Sequence, residues 1–549
     1  MIWRRRWRDL AAAHAGPFSR RGESRLSRRG RILPLSLAGT ALLLAAASTA
    51  VRASNPPAAD AEGAGVFLKA AEYRQAPAGL VKASDAILRQ AAKFLLSDTG
   101  IENTIRDESG KYWPPYIYHA VIDDDNHFSY RISYPSFHHA YLIEAFLNYY
   151  NYTGDPEGMR RARQLADWTI AHSTPPDWAW PNFPWSTFAE GRPGGFEDKD
   201  NLQPDKAGHM GLAYARLYEV TGDNRYLEAA KGIADTLTRR QSADGSWPFR
   251  VNPRTGDVYQ QYAAGLFMPV AFLEKMYRLT QNLDYKNAQI TAWMWVMRNP
   301  VRRNDWSGFY EDIAKGADSQ VYYAPAQTIR LLLRYRTPAN RNSYLKHAQD
   351  LFDYTMDGLA FDDSDMGLLL REQTAYLAAT PSSTLSWSMM AAEMFHATGE
   401  QRYREVVIEA LRSVTRYGLK PDGRTHNTML GGRIYGDSGS WYSLTSPVVR
   451  YIYQDMGCLP ELAPVDQNHL LRSATEIRKI AYSARHITYQ SLPDSVELLK
   501  LAKPPVRVTI GERTVPAATS LQAANAWLYN PRSQVLLVRH TDPNVDVSF

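Results

Sequence analysis

The sequence predicts an all-α protein, a double ring of helices of the (α/α)6 toroid type, followed by a small C-terminal β module. Two observations predict it. Amphipathic helical segments alternate between charged and apolar-aromatic types, six of each, and a turn of the form Thr-Gly-Asp recurs between partners. The charged segments fall near 84–97, 156–172, 223–240, 283–298, 341–358 and 401–417. The apolar ones fall near 136–151, 205–221, 260–279, 321–335, 382–397 and 467–483. Half-exposed helices make an outer ring and buried ones an inner ring.

Each turn carries its own warrant. In NYTGDPEGMRRARQLADWTIA, EVTGDNRYLEAAKGIADTLTRR and HATGEQRYREVVIEALRSVTR the glycine can end one helix, and the polar residue after it can cap the next. RLTQNLDYKNAQITAWMWVMR is a weaker copy. From Pro504 the pattern changes: Val506, Val508 and Ile510 alternate with polar residues, and further strands are expected at 535–538 and 545–549. The expected domains are a leader over 1–53, a linker over 54–82, the toroid over 83–502 and the β module over 503–549. The aromatic segment 102–135 reads as a β excursion or a cleft loop.

The 549 residues are 44% hydrophobic, 12% aromatic and 22% charged, a globular composition with ample length for a large core. The formal charge of +6 is misleading. Residues 1–53 hold 11 of the 63 Lys and Arg but 2 of the 57 Asp and Glu, leaving 52 basic against 55 acidic residues in the body. The body therefore has no overall electrostatic reason to bind nucleic acid. A single cysteine, Cys458, excludes an intramolecular disulfide framework and Cys-rich metal sites. Arginines up to Arg28-Arg29, then the apolar run Ile32–Val51, resemble an export signal, the arginine pair looking like a twin-arginine one, with a membrane anchor as the alternative. A periplasmic or secreted body, handled transiently by export machinery, is expected.

Several constellations are chemically suggestive. Trp178, Trp180 and Trp185 lie among prolines and could stack on sugar rings. Gln241 to Trp247 (QSADGSW) reads as a structural tie between a helix end and the next turn. Asp123-Asp124-Asp125 could hold Ca²⁺, though no cofactor and no metal site are predicted. The starts of the inner helices point into the cleft of a toroid: His138 and His139; Asp205, Lys206 and His209; Tyr322, Tyr323, Gln327 and Arg330.

The stretch VYYAPAQTIRLLLRYR resembles a segment of the D-glucuronyl C5-epimerases, through Tyr323, Gln327 and the helical run after them. WSGFY, at 306–310, stands where that family has a Gly-Gly-Trp strand. AYLAATPSSTLSWSMMAAEMF and GDSGSWYSLTSP are similar to two later segments, placing Tyr376 near the family's catalytic tyrosine and Tyr442 on its second functional one. Glu372 answers a glutamate before the first tyrosine. Ser443-Leu444-Thr445 replaces the family's Asp-Leu-Arg.

The resemblance implies a uronate-containing polysaccharide as substrate and proton abstraction at C5. Tyr376 and Tyr442 would be the acid–base pair, supported by Tyr323, His209, Glu372 and Arg330. Gln327, His138, Lys206 and the three tryptophans would bind sugar. Three alternatives remain open: a polysaccharide lyase, a glycoside hydrolase built on carboxylates such as Asp205, Glu197, Asp244 or Glu372, and a glycan-binding envelope protein without catalysis.

Overall fold

The computed structural model describes residues 75–97, 119–122, 128–189, 192–193, 201–309, 321–374, 379–426, 428–429 and 440–549. The leader, the Asp123–Asp125 run and Tyr376 lie outside them. Among the described residues no helix is long and apolar enough to cross a membrane.

Among the described residues, twelve α-helices alternate between two rings. The outer ones are α1 (Ala78–Leu96), α3 (Pro156–Ala171), α5 (Asn224–Arg240), α7 (Leu283–Val296), α9 (Arg341–Leu359) and α11 (Gln401–Tyr417). The inner ones are α2 (His138–Thr153), α4 (Pro204–Thr221), α6 (Phe267–Thr280), α8 (Tyr323–Arg334), α10 (Pro381–Thr398) and α12 (Ser446–Cys458). Each inner helix packs on the next, and α12 returns to α2 and α1, which closes the ring. Outer helices bury one stripe: in α5 it is Tyr226, Ala230, Ile233, Ala234 and Leu237, spaced as one helical face. In α10 every residue from Pro381 to Ala392 is buried.

The turns work as the sequence indicates. Gly154, Gly222 and Gly399 end α2, α4 and α10 at φ of 75°, 72° and 73°, the left-handed region that glycine enters at little cost. Gln281 holds the same conformation after α6. Asp155, Asp223 and Asn282 then accept the first free N–H groups of α3, α5 and α7. Gly208 and Gly211 let α4 approach α6 closely. A Cβ on Gly208 would stand 2.6 Å from the Pro269 backbone nitrogen, and one on Gly211 would stand 2.5 Å from the Phe272 ring.

Three expectations are corrected. The segment 467–483 is not the sixth inner helix. It forms β10 (His469–Ser473) and β11 (Ile477–Tyr482), two short apolar runs whose combined spacing imitates a helical period. The sixth inner helix is α12, which begins with Ser446-Pro447, proline being suited to the first turn. The β module consequently starts at His469 rather than 503, and α1 begins inside the expected linker.

That module is a two-sheet sandwich. Strands β12 (His486–Ser491), β13 (Ser495–Lys500), β14 (Arg507–Ile510), β15 (Arg513–Val515), β16 (Ala526–Asn530), β17 (Val535–His540) and β18 (Asn544–Ser548) complete the sheets β10-β13-β17-β16 and β11-β12-β18-β14-β15. Leu470, Leu499, Leu536 and Val538 of the first sheet meet Ile480, Ile487, Val508 and Val547 of the second. The first sheet's other face, with Leu498, Leu528 and Leu537, joins the helical core. All six residues of β13 are buried for that reason.

At the opposite end of the ring, β1 (His119–Ile122), β2 (Phe128–Ser133), β3 (Phe188–Ala189), β4 (Arg192–Pro193) and β9 (Ser440–Trp441) form a sheet ordered β4-β3-β2-β1-β9, and β5 (Arg250–Val251) with β6 (Val258–Gln260) and β7 (Ala360–Asp363) with β8 (Gly367–Leu370) make two separate antiparallel pairs. These strands precede α2, α4 and α12, so the sheet ties three entry loops together. The β excursion expected within 102–135 is therefore present over the described part of that segment.

Candidate functional site

The N-terminal turns of the inner helices bring polar and aromatic side chains together. The Tyr141 ring (α2) meets His209 (α4) edge-on at 5.1 Å between centroids, and Tyr323 (α8) at 5.9 Å. Tyr323 lies 6.1 Å from His209 and 5.9 Å from Phe267 (α6), and stacks on Phe309 at 5.2 Å. The Arg450 guanidinium (α12) sits 4.3 Å from the centre of the Tyr141 ring. Side chains from five inner helices thus form one cluster, at the helix ends where backbone N–H groups favour negative charge.

Arg450 is anchored from below. Its Nε donates to Glu144 at 2.7 Å, and Gln454 donates to the other carboxylate oxygen at 2.8 Å. Burial alone would raise the Glu144 pKa, but Arg450, with Arg216 and Arg330 beyond it, holds the group below the usual carboxylate range. Burial first, then the Lys206 ammonium and Arg450, push His209 well below the ordinary histidine value, so its imidazole is neutral. Burial also raises the hydroxyls of Tyr141 and Tyr323.

Asp205 and Lys206 complete the cluster. Their side chains are 0% exposed, and Lys206 Nζ donates to Asp205 Oδ2 at 2.7 Å. Burial lifts the Asp205 carboxyl above its ordinary range, and Lys206 opposes that rise without cancelling it. Asp205 Oδ1, His209 Nε2 and Gln327 Nε2 are buried with no hydrogen-bond partner among the described residues. Buried polar atoms are nearly always satisfied. Three unpaired ones on the N-terminal turns of α4 and α8 are what a site awaiting a polar ligand presents. Arg330 donates to Gln327 Oε1 at 3.3 Å, which leaves the amide NH₂ as the free end.

The structure therefore gathers His209, Tyr323, Gln327, Arg330 and Lys206 from the sequence candidates. Lys206 is tied to Asp205 rather than presented as a sugar contact. His138 is a satisfied histidine, its Nδ1 2.9 Å from Ser443 Oγ. Trp180 and Trp185 are 3% and 5% exposed and belong to the core, while Trp178 packs edge-on against Trp185 at 5.9 Å, so the loop is mainly rim packing. Glu372 approaches the buried Tyr322 and raises its hydroxyl further, and its backbone carbonyl accepts from Tyr322 N–H.

Tyr442 is buried, with its hydroxyl donating to the Leu95 carbonyl at the end of α1 at 2.7 Å and its ring against Phe94. Tyr442→Phe should cost about 0.5–1.5 kcal/mol of stability and leave turnover essentially unchanged, as a thermal melt beside an activity assay will show.

The QSADGSW stretch is structural, as expected. Gln241 donates to the Gly245 and Ala288 carbonyls, and Trp247 Nε1 donates to the Leu237 carbonyl at 2.8 Å. No group of His, Cys, Asp and Glu suited to a metal ion occurs among the described residues, and the Asp123 run is outside them.

Sequence reasoning missed Tyr141, Glu144 and Arg450. Tyr141 and Glu144 follow His138 at helical spacing, a signal that was available. Arg450 was hidden because α12 itself was not recognised.

Residues 116–321 match the model of the family described as Glycosyl Hydrolase Family 88, a match over less than half of the chain. No curated protein matches the chain. Among solved structures, D-mannose isomerase superposes with a TM-score of 0.54 at 14% identity, covering 71% of this chain and 99% of that one. A sugar epimerase from a ruminal bacterium gives 0.49 at 10% identity over 67% and 98%. An unsaturated glucuronyl hydrolase specific for heparin gives 0.45 at 13% identity over 70% and 99%. The chain shares the fold of D-mannose isomerase, and its matched family segment runs from the entry to α2 through the entry to α8.

Proposed function

We propose that this protein is a carbohydrate-active hydrolase that acts on a saccharide ending in a uronate, with Asp205 as the proton donor. The observation that carries the reading is the buried Asp205 carboxyl, raised by burial and left with one unpaired oxygen, one helical turn before neutral His209. The match to a glycosyl hydrolase family over the segment containing Asp205 and His209 supports the reaction class.

Ordinary glycoside hydrolysis uses two facing carboxyl groups. In this cluster Asp205 is the carboxyl that burial favours in protonated form, whereas Arg450 holds Glu144 ionised. A single acid suffices when the terminal uronate carries a C4–C5 double bond. Asp205 gives its proton to C4 and the ring oxygen stabilises the cation at C5. A water oxygen then adds at C5 and its proton returns to the Asp205 carboxylate. The resulting hemiketal opens, and the aglycone leaves as an alcohol. The inner helix N-termini and Arg450 supply the positive field for the substrate carboxylate.

Abstraction at C5 by a tyrosine is less well supported. A tyrosine base needs a lowered pKa, and burial moves Tyr141 and Tyr323 the other way. We further propose an extracytoplasmic site of action, on the strength of the basic and apolar pattern of residues 1–53.

Magnetic resonance of products formed in heavy water tests the reaction. Deuterium at C4 of a released keto acid is expected from an unsaturated uronyl disaccharide. Deuterium at C5 of an intact saturated uronate polymer would overturn the hydrolase reading in favour of epimerisation.

A further inference from the structure

Lys206 is fully buried, and its neighbours fix it from two sides. Its Nζ lies 2.7 Å from Asp205 Oδ2 and 3.8 Å from the centre of the Phe309 ring, with the Phe249 ring at 5.5 Å. Consecutive helix residues do not share a face, so this pairing exists because the aromatic rings fold the lysine back onto its neighbour. Gly265, in the entry to α6, packs against Asp205 and Phe309. A Cβ there would collide with Asp205 Oδ2.

We propose that Lys206 is a positioning residue for Asp205: its ammonium, clamped against Phe309, occupies Oδ2 and leaves Oδ1 as the oxygen that meets the sugar. The proposal rests on the reading of Asp205 as the proton donor, but the arrangement can be tested without turnover. The ionisable groups around the pocket are His209 on the same helix, Tyr141 from α2, Tyr323 from α8 and Arg450 from α12, with Arg250 sharing the Phe249 ring. His209 is neutral and the tyrosines stay protonated, so Lys206 is the cation in direct contact with the carboxyl. It limits how far burial raises the carboxyl and so keeps Asp205 able to ionise and regain its proton within a working pH range.

The test is pH-resolved infrared difference spectroscopy of the full chain, reading the protonated-carboxyl band that Asp205→Asn abolishes. Lys206→Met should move the titration of that band up by about 1–3 pH units, and Lys206→Arg should leave it near the wild-type position. Lys206→Gln keeps a donor to Oδ2 without the charge, and should shift the band upward even if the Met variant does not fold. A band that does not move in a folded Met or Gln variant overturns the proposal, because a purely structural lysine would change stability alone. The alkaline limb of the pH–rate profile should follow the band. If the band shifts while the wild-type protein turns over no uronyl saccharide, the positioning role stands and the hydrolase reading fails.

Discussion

Replacing Asp205 with Asn lowers kcat on an unsaturated uronyl disaccharide by about 10²–10⁴-fold, the usual worth of a general acid, with little change in KM. Asparagine keeps an acceptor for the Lys206 ammonium that bonds Oδ2 in the wild type. The variant therefore stays folded, and its loss reports chemistry. Asp205→Ala should behave differently, because it strands a fully buried ammonium. Removing one partner of such a pair costs about 3–5 kcal/mol, so this variant should lose both activity and thermal stability. Wild-type activity should fall as the pH rises through the elevated Asp205 pKa, since the protonated carboxyl is the active form. Steady-state kinetics against pH on the two variants separates these effects.

The second large effect lies in the sandwich. His540 and Glu497 are both 0% exposed, with Nε2 2.5 Å from Oε2. His540 Nδ1 lies 2.6 Å from the Asp542 carbonyl, so both ring nitrogens face acceptors and the ring is an imidazolium. Glu497 also accepts from Ser473 and Tyr489. Burial opposes the charge on His540, but the Glu497 hydrogen bond and its negative charge raise the pKa above the ordinary value. An unfolded histidine titrates near 6.5. The pair's stabilisation is complete below about 6.5 and fades as the pH climbs through the higher folded value. Glu497→Gln should therefore cost about 3–5 kcal/mol in acid, and the gap from wild type should shrink in mild alkali. A gap that widens with pH contradicts this assignment. Denaturant unfolding at several pH values measures it.

The ring was legible because its signals are local. A glycine in the left-handed conformation and an Asp one residue later mark the hairpins at Gly154 and Gly222 from sequence alone. The sixth inner helix was not legible. Ser446–Cys458 is short and follows directly on the 3-10 turn Tyr442–Thr445, while Leu470, Leu471, Ile477 and Ile480 mimic a helix across a turn that carries no glycine or proline. The sandwich core depends on pairing between distant strands, such as β12 with β18, which no local period encodes.

The site divides in the same way. His209, Tyr323 and Gln327 were visible because they open recognised helices. Arg450 was invisible with its helix. Tyr442 stands out in the sequence by its motif, whereas its hydroxyl is held by the distant Leu95 carbonyl, a contact only the closed ring creates.

In the reading proposed above, the N-terminal mouth of the inner ring holds a uronate-ended saccharide against Asp205. A crystal structure of the Asp205→Asn protein soaked with an unsaturated uronyl disaccharide would show where that sugar sits. The C4–C5 bond of the terminal sugar should lie beside residue 205, with His209 Nε2 and Gln327 Nε2 hydrogen-bonded to that sugar. A disaccharide bound outside the Tyr141–His209–Tyr323 cluster, or one whose C5 faces a tyrosine hydroxyl while residue 205 touches nothing, would contradict it.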